Sequence, residues 1–306
     1  SSQSEHIEFG GILPEMASRL HLKHILTLTK KALDISELNL SDISAIAVSI
    51  NPGLIGSLIV GLAFAKSLAW SLSLPLVTVN HMLAHIFANC IEHKEIKPPF
   101  LAMVVSGGHT ELVQFDTLVS FQIVGKTLDD AAGESFDKTA KLLGLGFPGG
   151  PIIDDLAKNG NPDFIRFPRA LPQKDNFNFS YSGLKTAIRT WLVNQKPEIL
   201  NDKLPDIAAS VQQAIIEPLV NKSVLWARQH KIPYILLAGG VAANSALRKQ
   251  VTQSAAKYGI KVFYPSTAFC MDNAAMVGAA AIPKFLVGDY APLTVNVSSK
   301  KGTRTV

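Results

Sequence analysis

The sequence contains little cysteine: only Cys90 and Cys270 occur among 306 residues. Two cysteines cannot build the disulfide framework of a small secreted domain, so we expect an apolar core and a reducing, cytoplasmic compartment. The N-terminal residues are mostly polar, unlike a signal peptide. The longest apolar stretch, 54–79, contains Lys66 and Pro75. This interruption favours a buried helix followed by a strand over a membrane span.

Two common nucleotide-binding signatures are also missing. No GxxxxGK[ST] run occurs, which disfavours phosphoryl transfer by a P-loop enzyme. The run 144–149 has the letters of a dinucleotide fingerprint, but a helical pattern precedes it and Pro148 interrupts it. With 47% hydrophobic and 17% charged residues the chain is typical of a globular protein, and its length suggests two lobes. A net charge of +5 allows an anionic partner such as RNA.

The N-terminal third alternates between helical and strand patterns. A helix is predicted from Pro14 to about Leu33, a strand at 44–50, a helix from Gly56 to about Leu72 and a strand at 76–79. Strand, crossover helix and strand form a parallel βαβ unit. This unit would place the residue after its second strand at the carboxyl end of the sheet, where open α/β sheets bind ligands.

From residue 100 the pattern changes to an antiparallel hairpin. Residues 101–105 are apolar, a Ser-Gly-Gly-His turn follows, and 110–115 alternate as a returning strand. Helices are then expected at about 129–143, 152–158, 183–193, 205–230, 244–257 and 272–286, with strands at 234–238 and 261–264. The hairpin indicates the start of a second lobe.

A histidine pair, His81 and His85, follows the predicted βαβ unit directly. Residues four apart lie on one face of a helix, so both imidazoles could bind one metal ion. The best third ligand is Asp272, at a predicted helix start after a strand. Two histidines and a carboxylate leave coordination positions open for a substrate. Two ordinary polar residues are the alternative interpretation of the histidine pair alone.

Two turns have one design, an apolar strand followed by paired glycines. They are Gly107-Gly108 after Val104, Val105 and Ser106, and Gly239-Gly240 after 234–238. Glycine lets backbone amides approach phosphate or ribose oxygens closely. Two such turns suggest a bound nucleotide, whereas either alone could simply tighten a connection. Acidic residues at 130, 134 and 137 share one helix face, and one of them could accept hydrogen bonds from a ribose.

Taken together, the motifs closely resemble those of the bacterial TsaD family, the tRNA N6-adenosine threonylcarbamoyltransferases formerly labelled O-sialoglycoprotein endopeptidases. In order they are GGILPE (10–15), NPGL (51–54), HMLAH (81–85), SGGHT (106–110), DDAAGESFDK (129–138), FPGGP (147–151), SGLK (182–185), AGGVAAN (238–244) and MDN (271–273). So many motifs in one order are highly specific.

The resemblance implies a two-lobed α/β fold of the actin/Hsp70 (ASKHA) type with a nucleotide cleft between the lobes. It implies transfer of threonylcarbamoyl from threonylcarbamoyl-AMP to N6 of the adenosine 3′ of the anticodon, in tRNAs reading codons that start with A, with release of AMP. His81, His85 and Asp272 would bind one divalent metal, Fe(2+) in preference to Zn(2+). The residues implied to contact the adenylate are Val104, Val105, Ser106, Gly107, Gly108, Asp137, Gly150, Asp154 and Asn244. His109 is a candidate general base.

The resemblance also bears on lobes and partners. We expect a first lobe of 1–104 plus 276–306 and a second lobe of 105–275. Family members begin with strands upstream of the GGILPE motif, so the N-terminal strands of the first lobe are expected to be missing from this sequence. The implied protein partners are a metal-lacking paralogue of the same fold (TsaB-like) and a small ATPase (TsaE-like).

Basic residues suggest a surface for tRNA, because cations bind phosphates without reading sequence. The candidates are Arg166, Arg169, Lys174, Lys185 and Arg189, and in the C-terminal tail Lys300, Lys301 and Arg304. Plain solubilising charge is the alternative interpretation of these residues.

Three other functions compete with the transferase. Peptide hydrolysis by a helical zinc protease requires a Glu after the first histidine, and Met82 stands there. An ATPase or kinase of the same fold would explain the glycine turns but not the histidine pair and Asp272. A non-catalytic scaffold subunit of the modification complex is the third alternative, and the intact set of ligands argues against it.

Overall fold

The computed structural model of the chain describes residues 13–298. The first three residues of the GGILPE motif and the tail cations Lys300, Lys301 and Arg304 therefore lie outside the described residues. Two compact units are present: 13–87 with 273–298, and 88–272. These divisions fall at 87/88 and 272/273, whereas the sequence-based lobe limits, which stay a prediction, fall at 104/105 and 275/276.

The described chain contains both helices and strands. The helices are α1 (Pro14–Ser36), α2 (Ile55–Ser71), α3 (His81–Phe87), α4 (Asn89–Glu92), α5 (Ala132–Leu142), α6 (Gly149–Ala157), α7 (Ser182–Val193), α8 (Pro197–Asp202), α9 (Leu204–Gln229), α10 (Ser245–Ala256), α11 (Thr267–Cys270) and α12 (Ala274–Leu286). The strands are β1 (Ile46–Asn51), β2 (Leu76–Asn80), β3 (Phe100–Val105), β4 (Thr110–Phe115), β5 (Phe121–Lys126), β6 (Tyr234–Ala238) and β7 (Lys261–Phe263).

The first unit contains the expected βαβ arrangement. Strands β1 and β2 pair in parallel, with Ile46 opposite Leu76, and α2 is the crossover between them. Helix α12 packs against α3 and β2. The apolar stretch from residue 54 is thus the helix and strand predicted, and within residues 13–298 no helix is long and apolar enough to cross a bilayer.

The second unit is built on a five-stranded sheet in the order β5-β4-β3-β6-β7. The central strand β3 is buried along its whole length, as its continuous apolar run predicts for a strand covered on both faces. It pairs antiparallel with β4, which confirms the predicted hairpin, and parallel with β6. The carboxyl ends of β3 and β6 therefore meet at one edge, where both glycine turns begin.

The structure adds one strand to the elements expected from the sequence and refines the start of the last helix, expected near Asp272. Strand β5 was missed because its alternation is weak and it lies at the sheet edge, where tertiary pairing with β4 decides the conformation. The last helix starts at Ala274, not at Asp272. The cause is Asn273, whose side-chain oxygen accepts a hydrogen bond from the amide of Met276 (2.8 Å) and caps the helix.

Candidate functional site

The histidine pair is oriented by the residue before it. Asn80 ends β2, and its side-chain oxygen accepts hydrogen bonds from the amides of Met82 (2.9 Å) and Leu83 (3.2 Å). These are N–H groups that a helix cannot satisfy at its own start, so Asn80 caps α3. Its amide nitrogen in turn donates to the side chain of Asn51 on β1 (2.9 Å). Sequence analysis missed this residue, although an Asn directly before a helical pattern is a recognisable signal.

The cap places both imidazoles on one face of α3. Their ring centroids lie 4.8 Å apart at an interplanar angle of 75°. His85 is buried, with 6% of its surface exposed, and His81 is half-buried. A histidine buried to this degree is held in one orientation by its surroundings, as a metal ligand must be.

Asp272 is brought to the same place by α12. It immediately precedes the capping residue Asn273, and α12 packs against α3. One ligand atom from each of His81, His85 and Asp272 lies within 4.8 Å of the others. Ligands bound to zinc at about 2.0–2.2 Å are roughly 3.4 Å apart in a tetrahedral site, so each side chain needs to move by about 1 Å or less. The three side chains thus fit a metal ion that keeps open positions.

The first glycine turn offers its backbone to a ligand. The amide of Ser106 donates to the carbonyl of His109 (2.8 Å), and the His109 amide donates to the Ser106 hydroxyl (3.1 Å). Gly107 and Gly108 are exposed, and a Cβ added at either would meet no atom within 4 Å. Val104 and Val105 are each only 1% exposed. Val104 and Val105 therefore belong to the core, and the exposed part of this turn is Gly107 and Gly108.

The second glycine turn lies against the first. Gly239 has a φ of +87°, and a Cβ there would stand 2.5 Å from the carbonyl oxygen of Val105. Only glycine accommodates both that backbone conformation and that approach. Gly240, by contrast, is exposed and has open space at its Cβ position. Gly239 thus packs the second turn against the first, and Gly240 faces outward.

Helix α5 starts directly on the first glycine turn. The amide of Gly133 donates to the carbonyl of Ser106 (3.2 Å), and a Cβ at Gly133 would stand 2.5 Å from that oxygen. One turn later Asp137 accepts a hydrogen bond from the amide of Gly149 (2.7 Å), at the start of α6. Gly150, also predicted to contact the adenylate, is half-buried in the same first turn. A carboxylate accepts several hydrogen bonds, so a ribose contact by Asp137 stays possible chemically and stays a prediction.

Asp154 and Asn244 also have structural partners. Asp154 accepts hydrogen bonds from the amide (3.0 Å) and the hydroxyl (2.8 Å) of Ser245, at the start of α10. Asn244 is 7% exposed, accepts from the amide of Leu247 (2.8 Å) and donates to Gln212 (2.7 Å). Both residues therefore hold the segment that follows the second glycine turn, and their contacts to the adenylate stay a prediction.

Asp130 precedes α5, which begins at Ala132, so only Glu134 and Asp137 of the predicted acidic stripe lie on that helix. Asp130 and Glu134 share one cation. The ammonium of Lys138 donates to Asp130 (2.7 Å) and forms an ion pair with Glu134 (2.8 Å), and these contacts raise the pKa of Lys138. Only Asp137 of the stripe faces α6. Neither cysteine is an activated nucleophile, because burial raises the pKa of Cys90 to about 11 and also raises that of Cys270.

The predicted basic residues differ in how they are engaged. Arg169 donates two hydrogen bonds to Glu217 (3.1 and 2.8 Å) and one to the carbonyl of Phe167, so it holds the fold together. Lys185 and Arg189 lie one turn apart on α7 and line a groove. The other residues lining this groove are Asp130, Lys138, Ser182, Thr186, Thr190, Val193 and Asn194. Arg166 is exposed.

Comparison with known families identifies the family to which the chain belongs. The family described as "TsaD: tRNA N6-adenosine threonylcarbamoyltransferase" matches the chain over residues 1–279. The chain belongs to the TsaD family. Relatives of that name in Clostridium perfringens (strain SM101 / Type A) and Clostridioides difficile (strain 630) are 48% and 46% identical to it. Each alignment covers 97% of this chain and 88% of the relative.

A third relative of the same name, in Chlorobaculum tepidum, is 44% identical over 99% of this chain and 92% of its own length. The resemblance drawn from the motifs is thus confirmed at the level of the TsaD family. The family name describes a transferase that modifies tRNA, which confirms the class of enzyme expected from the sequence.

Solved structures address the fold of this TsaD-family chain. A full-length HypF in its phosphate- and nucleotide-bound form matches with a TM-score of 0.62 at 15% identity, and T. kodakarensis HypF with 0.65 at 16%. Both matches cover 87% of this chain but only 42% and 44% of the HypF chains, so this chain spans less than half of their length. They confirm the expected α/β, actin/Hsp70-like (ASKHA) fold and carry no argument about activity.

Proposed function

We propose that the chain transfers threonylcarbamoyl from threonylcarbamoyl-AMP to N6 of the adenosine 3′ of the anticodon, in tRNAs reading codons that start with A. The observation that supports this most is the TsaD match over residues 1–279. In the reaction a bond forms between N6 and the carbamoyl carbon, and the bond from that carbon to the phosphate oxygen breaks. AMP leaves with the electron pair of that bond, and N6 loses one proton.

The metal-binding role falls to His81, His85 and Asp272. Their ligand atoms lie within 4.8 Å of one another, and nitrogen and oxygen donors suit Fe(2+), which we favour, or Zn(2+). Such an ion, when bound, polarises a carbonyl oxygen as a Lewis acid. The chain itself holds the three ligands at or beside the starts of α3 and α12. The side chains of Asn80 and Asn273 cap these two helix starts.

The adenylate is bound by the glycine turns. Exposed amides at Gly107, Gly108 and Gly240 can donate to the phosphate and stabilise the charge that it develops as the leaving group. Asp137, Gly150, Asp154 and Asn244 complete the site around the ribose and the base. Holding both substrates in one orientation makes the attack effectively unimolecular. His109, half-buried next to the first turn, is our candidate for accepting the N6 proton.

The tRNA is bound in part by the groove along α7. Lys185 and Arg189 supply positive charge there, with hydroxyl groups of Ser182, Thr186 and Thr190 beside them. Arg166, which is exposed, is a further candidate for phosphate contact, and we assign Arg169 to holding the fold because Glu217 engages it. The complex would also contain a metal-lacking TsaB-like paralogue and a small TsaE-like ATPase, and the reaction would take place in the cytoplasm.

The test is an assay with threonylcarbamoyl-AMP and unmodified tRNA. We expect His81→Ala to lower the transfer rate by about 100-fold or more, because loss of one ligand removes the metal's several kcal/mol of assistance. His230→Ala is the matched control, since His230 is exposed and stacks on Trp226 at a centroid distance of 3.8 Å. Its rate should equal that of the parent.

The same assay separates the alternatives. If the parent hydrolyses ATP or phosphorylates a small molecule but transfers no threonylcarbamoyl, the protein is an ATPase or kinase of this fold. If it does neither alone and stimulates an added TsaD-family enzyme, it is a scaffold subunit. Either result would overturn the proposal.

A further inference from the structure

The side chain of Arg248 connects three separate segments of the second unit. Its Nε donates to the carbonyl oxygen of Ala242 (2.5 Å), in the 3₁₀ turn 240–243 that follows Gly239. Its Nη2 donates to the carbonyl oxygen of Pro265 (3.1 Å), after β7, and to Sγ of Cys270 (3.4 Å), at the end of α11. The guanidinium carbon also lies 4.3 Å from the centroid of the Tyr264 ring.

The partners of Arg248 make this connection directional. They are two carbonyl oxygens, a thiol and an aromatic ring. A planar guanidinium donates along fixed directions and stacks on a ring face at the same time, which an ammonium cannot do. Arg248 therefore defines the separation of its partners as well as attracting them.

The segments that Arg248 contacts at Cys270 and at Ala242 lie close in sequence to residues proposed to bind a ligand. Asp272 follows Cys270 by two residues, a reach of about 7 Å at most along the chain. Asn244 follows Ala242 by two residues, and Gly240 precedes it by two. A shift of the Arg248 side chain would thus move the carboxylate proposed to bind metal together with the turn proposed to bind the adenylate.

We propose that Arg248 is a positioning residue that sets the Asp272 segment and the second glycine turn in a fixed relation. The proposal rests on the metal and nucleotide sites of the proposed function. Arg248 itself contacts neither ligand. It acts through the backbone at Ala242 and Pro265 and through Cys270.

The chain offers a matched control in Arg228. This residue, on the last turn of α9, also stacks on a tyrosine, at 5.1 Å from the ring centroid of Tyr258, and donates to its hydroxyl (3.4 Å). It thus has the same kind of packing without a link to either ligand-binding segment. Loss of Arg228 measures what removing a stacked arginine does to the fold alone.

The experiment is a titration of metal-free protein with Co²⁺, followed by its visible absorption, and a separate titration with AMP. Four proteins are compared: the parent, Arg248→Met, Arg248→Lys and Arg228→Met. We expect Arg248→Met to weaken Co²⁺ binding by about 10-fold or more, as loss of groups that orient metal ligands does, and to weaken AMP binding several-fold. Arg248→Lys should give intermediate values, and Arg228→Met should match the parent in both titrations.

Each outcome has one meaning. Parent-like Co²⁺ and AMP affinities in Arg248→Met would overturn the inference and leave the proposed function standing. Equal losses in Arg228→Met would also overturn it, because the effect would then be general destabilisation. If Arg248→Met does not fold, as judged by circular dichroism, the comparison of Arg248→Lys with Arg228→Met decides in the same way. A parent that binds no Co²⁺ would instead overturn the proposed metal site, and this inference with it.

Discussion

At the scale of single residues, four polar side chains each stabilise the start of a helix: Asn80, Asp137, Asp154 and Asn244. Each accepts hydrogen bonds from amides at the start of a helix. The last three were predicted from the family resemblance as contacts to a substrate. The local sequence does not reveal the structural roles of Asp137 and Asp154, because the amides from which they accept, at Gly149 and Ser245, lie 12 and 91 residues away along the chain.

Asp129 provides a pH-dependent test at this scale. Burial opposes its ionisation, but hydrogen bonds from the Ser180 hydroxyl (2.5 Å), the Tyr181 amide (2.8 Å) and the Ser182 hydroxyl (2.7 Å) outweigh burial and lower its pKa. Because the folded pKa is depressed, the stabilisation is complete above the unfolded value of about 3.9 and is lost as the pH falls through the folded value.

We therefore expect Asp129→Asn to lower the free energy of unfolding at pH 7 by about 1 kcal/mol, the order of the net contribution of a hydrogen bond. The difference from the parent should shrink as the pH falls below about 4, because the parent's carboxylate then becomes protonated too. Urea denaturation at pH 7 and near pH 3 measures both values. The exposed Asp163→Asn is the control. A difference that stays constant with pH would contradict the assigned role of the charge.

At the scale of elements, the two glycine turns contain glycines with different roles: Gly239 packs the turns together, and Gly107 is proposed to bind the nucleotide. Gly239→Ala should lower the free energy of unfolding by about 2 kcal/mol or more, because a Cβ would meet the Val105 carbonyl at 2.5 Å in a left-handed conformation. Gly107→Ala should leave the melting temperature nearly unchanged, since its Cβ position is open, while weakening AMP binding by obstructing the amide. Thermal melts and AMP titrations of both variants test this. Equal destabilisation by the two substitutions would contradict these different roles.

Helix α7 carries a second element-scale prediction. Lys185→Glu with Arg189→Glu should weaken tRNA binding by about 10-fold or more and reduce its salt dependence, because two phosphate contacts are lost. Arg169→Gln should instead lower stability, because Glu217 loses its partner. Filter binding at several salt concentrations, with a thermal melt of each variant, distinguishes the two. If Arg169→Gln alone weakened tRNA binding without loss of stability, Arg169 would return to the tRNA surface.

At the scale of the whole molecule, the sequence was most informative where patterns are long and local. The βαβ unit, the hairpin at 100–115 and the position of the histidine pair follow from apolar periodicity and turn residues, and the structure confirms them. Strand β5 was missed because its alternation is weak, although its partner β4 directly precedes it in the chain. Arg248 was missed because its contacts to Pro265 and Cys270 are tertiary, and no local pattern encodes those partners.

The sequence pointed to Asp272 only because it is an acidic residue near a predicted helix start, and it could not show that Asp272 lies close to His81 and His85. This proximity depends on the packing of α12 on α3, a tertiary contact between elements that lie almost 200 residues apart in the chain. We propose that a metal ion held at these three residues assists the transfer.

The most direct test is to strip the protein of metal, measure single-turnover transfer from threonylcarbamoyl-AMP to unmodified tRNA, and then restore metal. We predict a rate at least about 100-fold lower in the metal-free protein, recovery with one equivalent of Fe²⁺ or Zn²⁺ per chain, and no recovery in His81→Ala. Transfer at the parent rate in protein shown by elemental analysis to contain no metal would contradict the account.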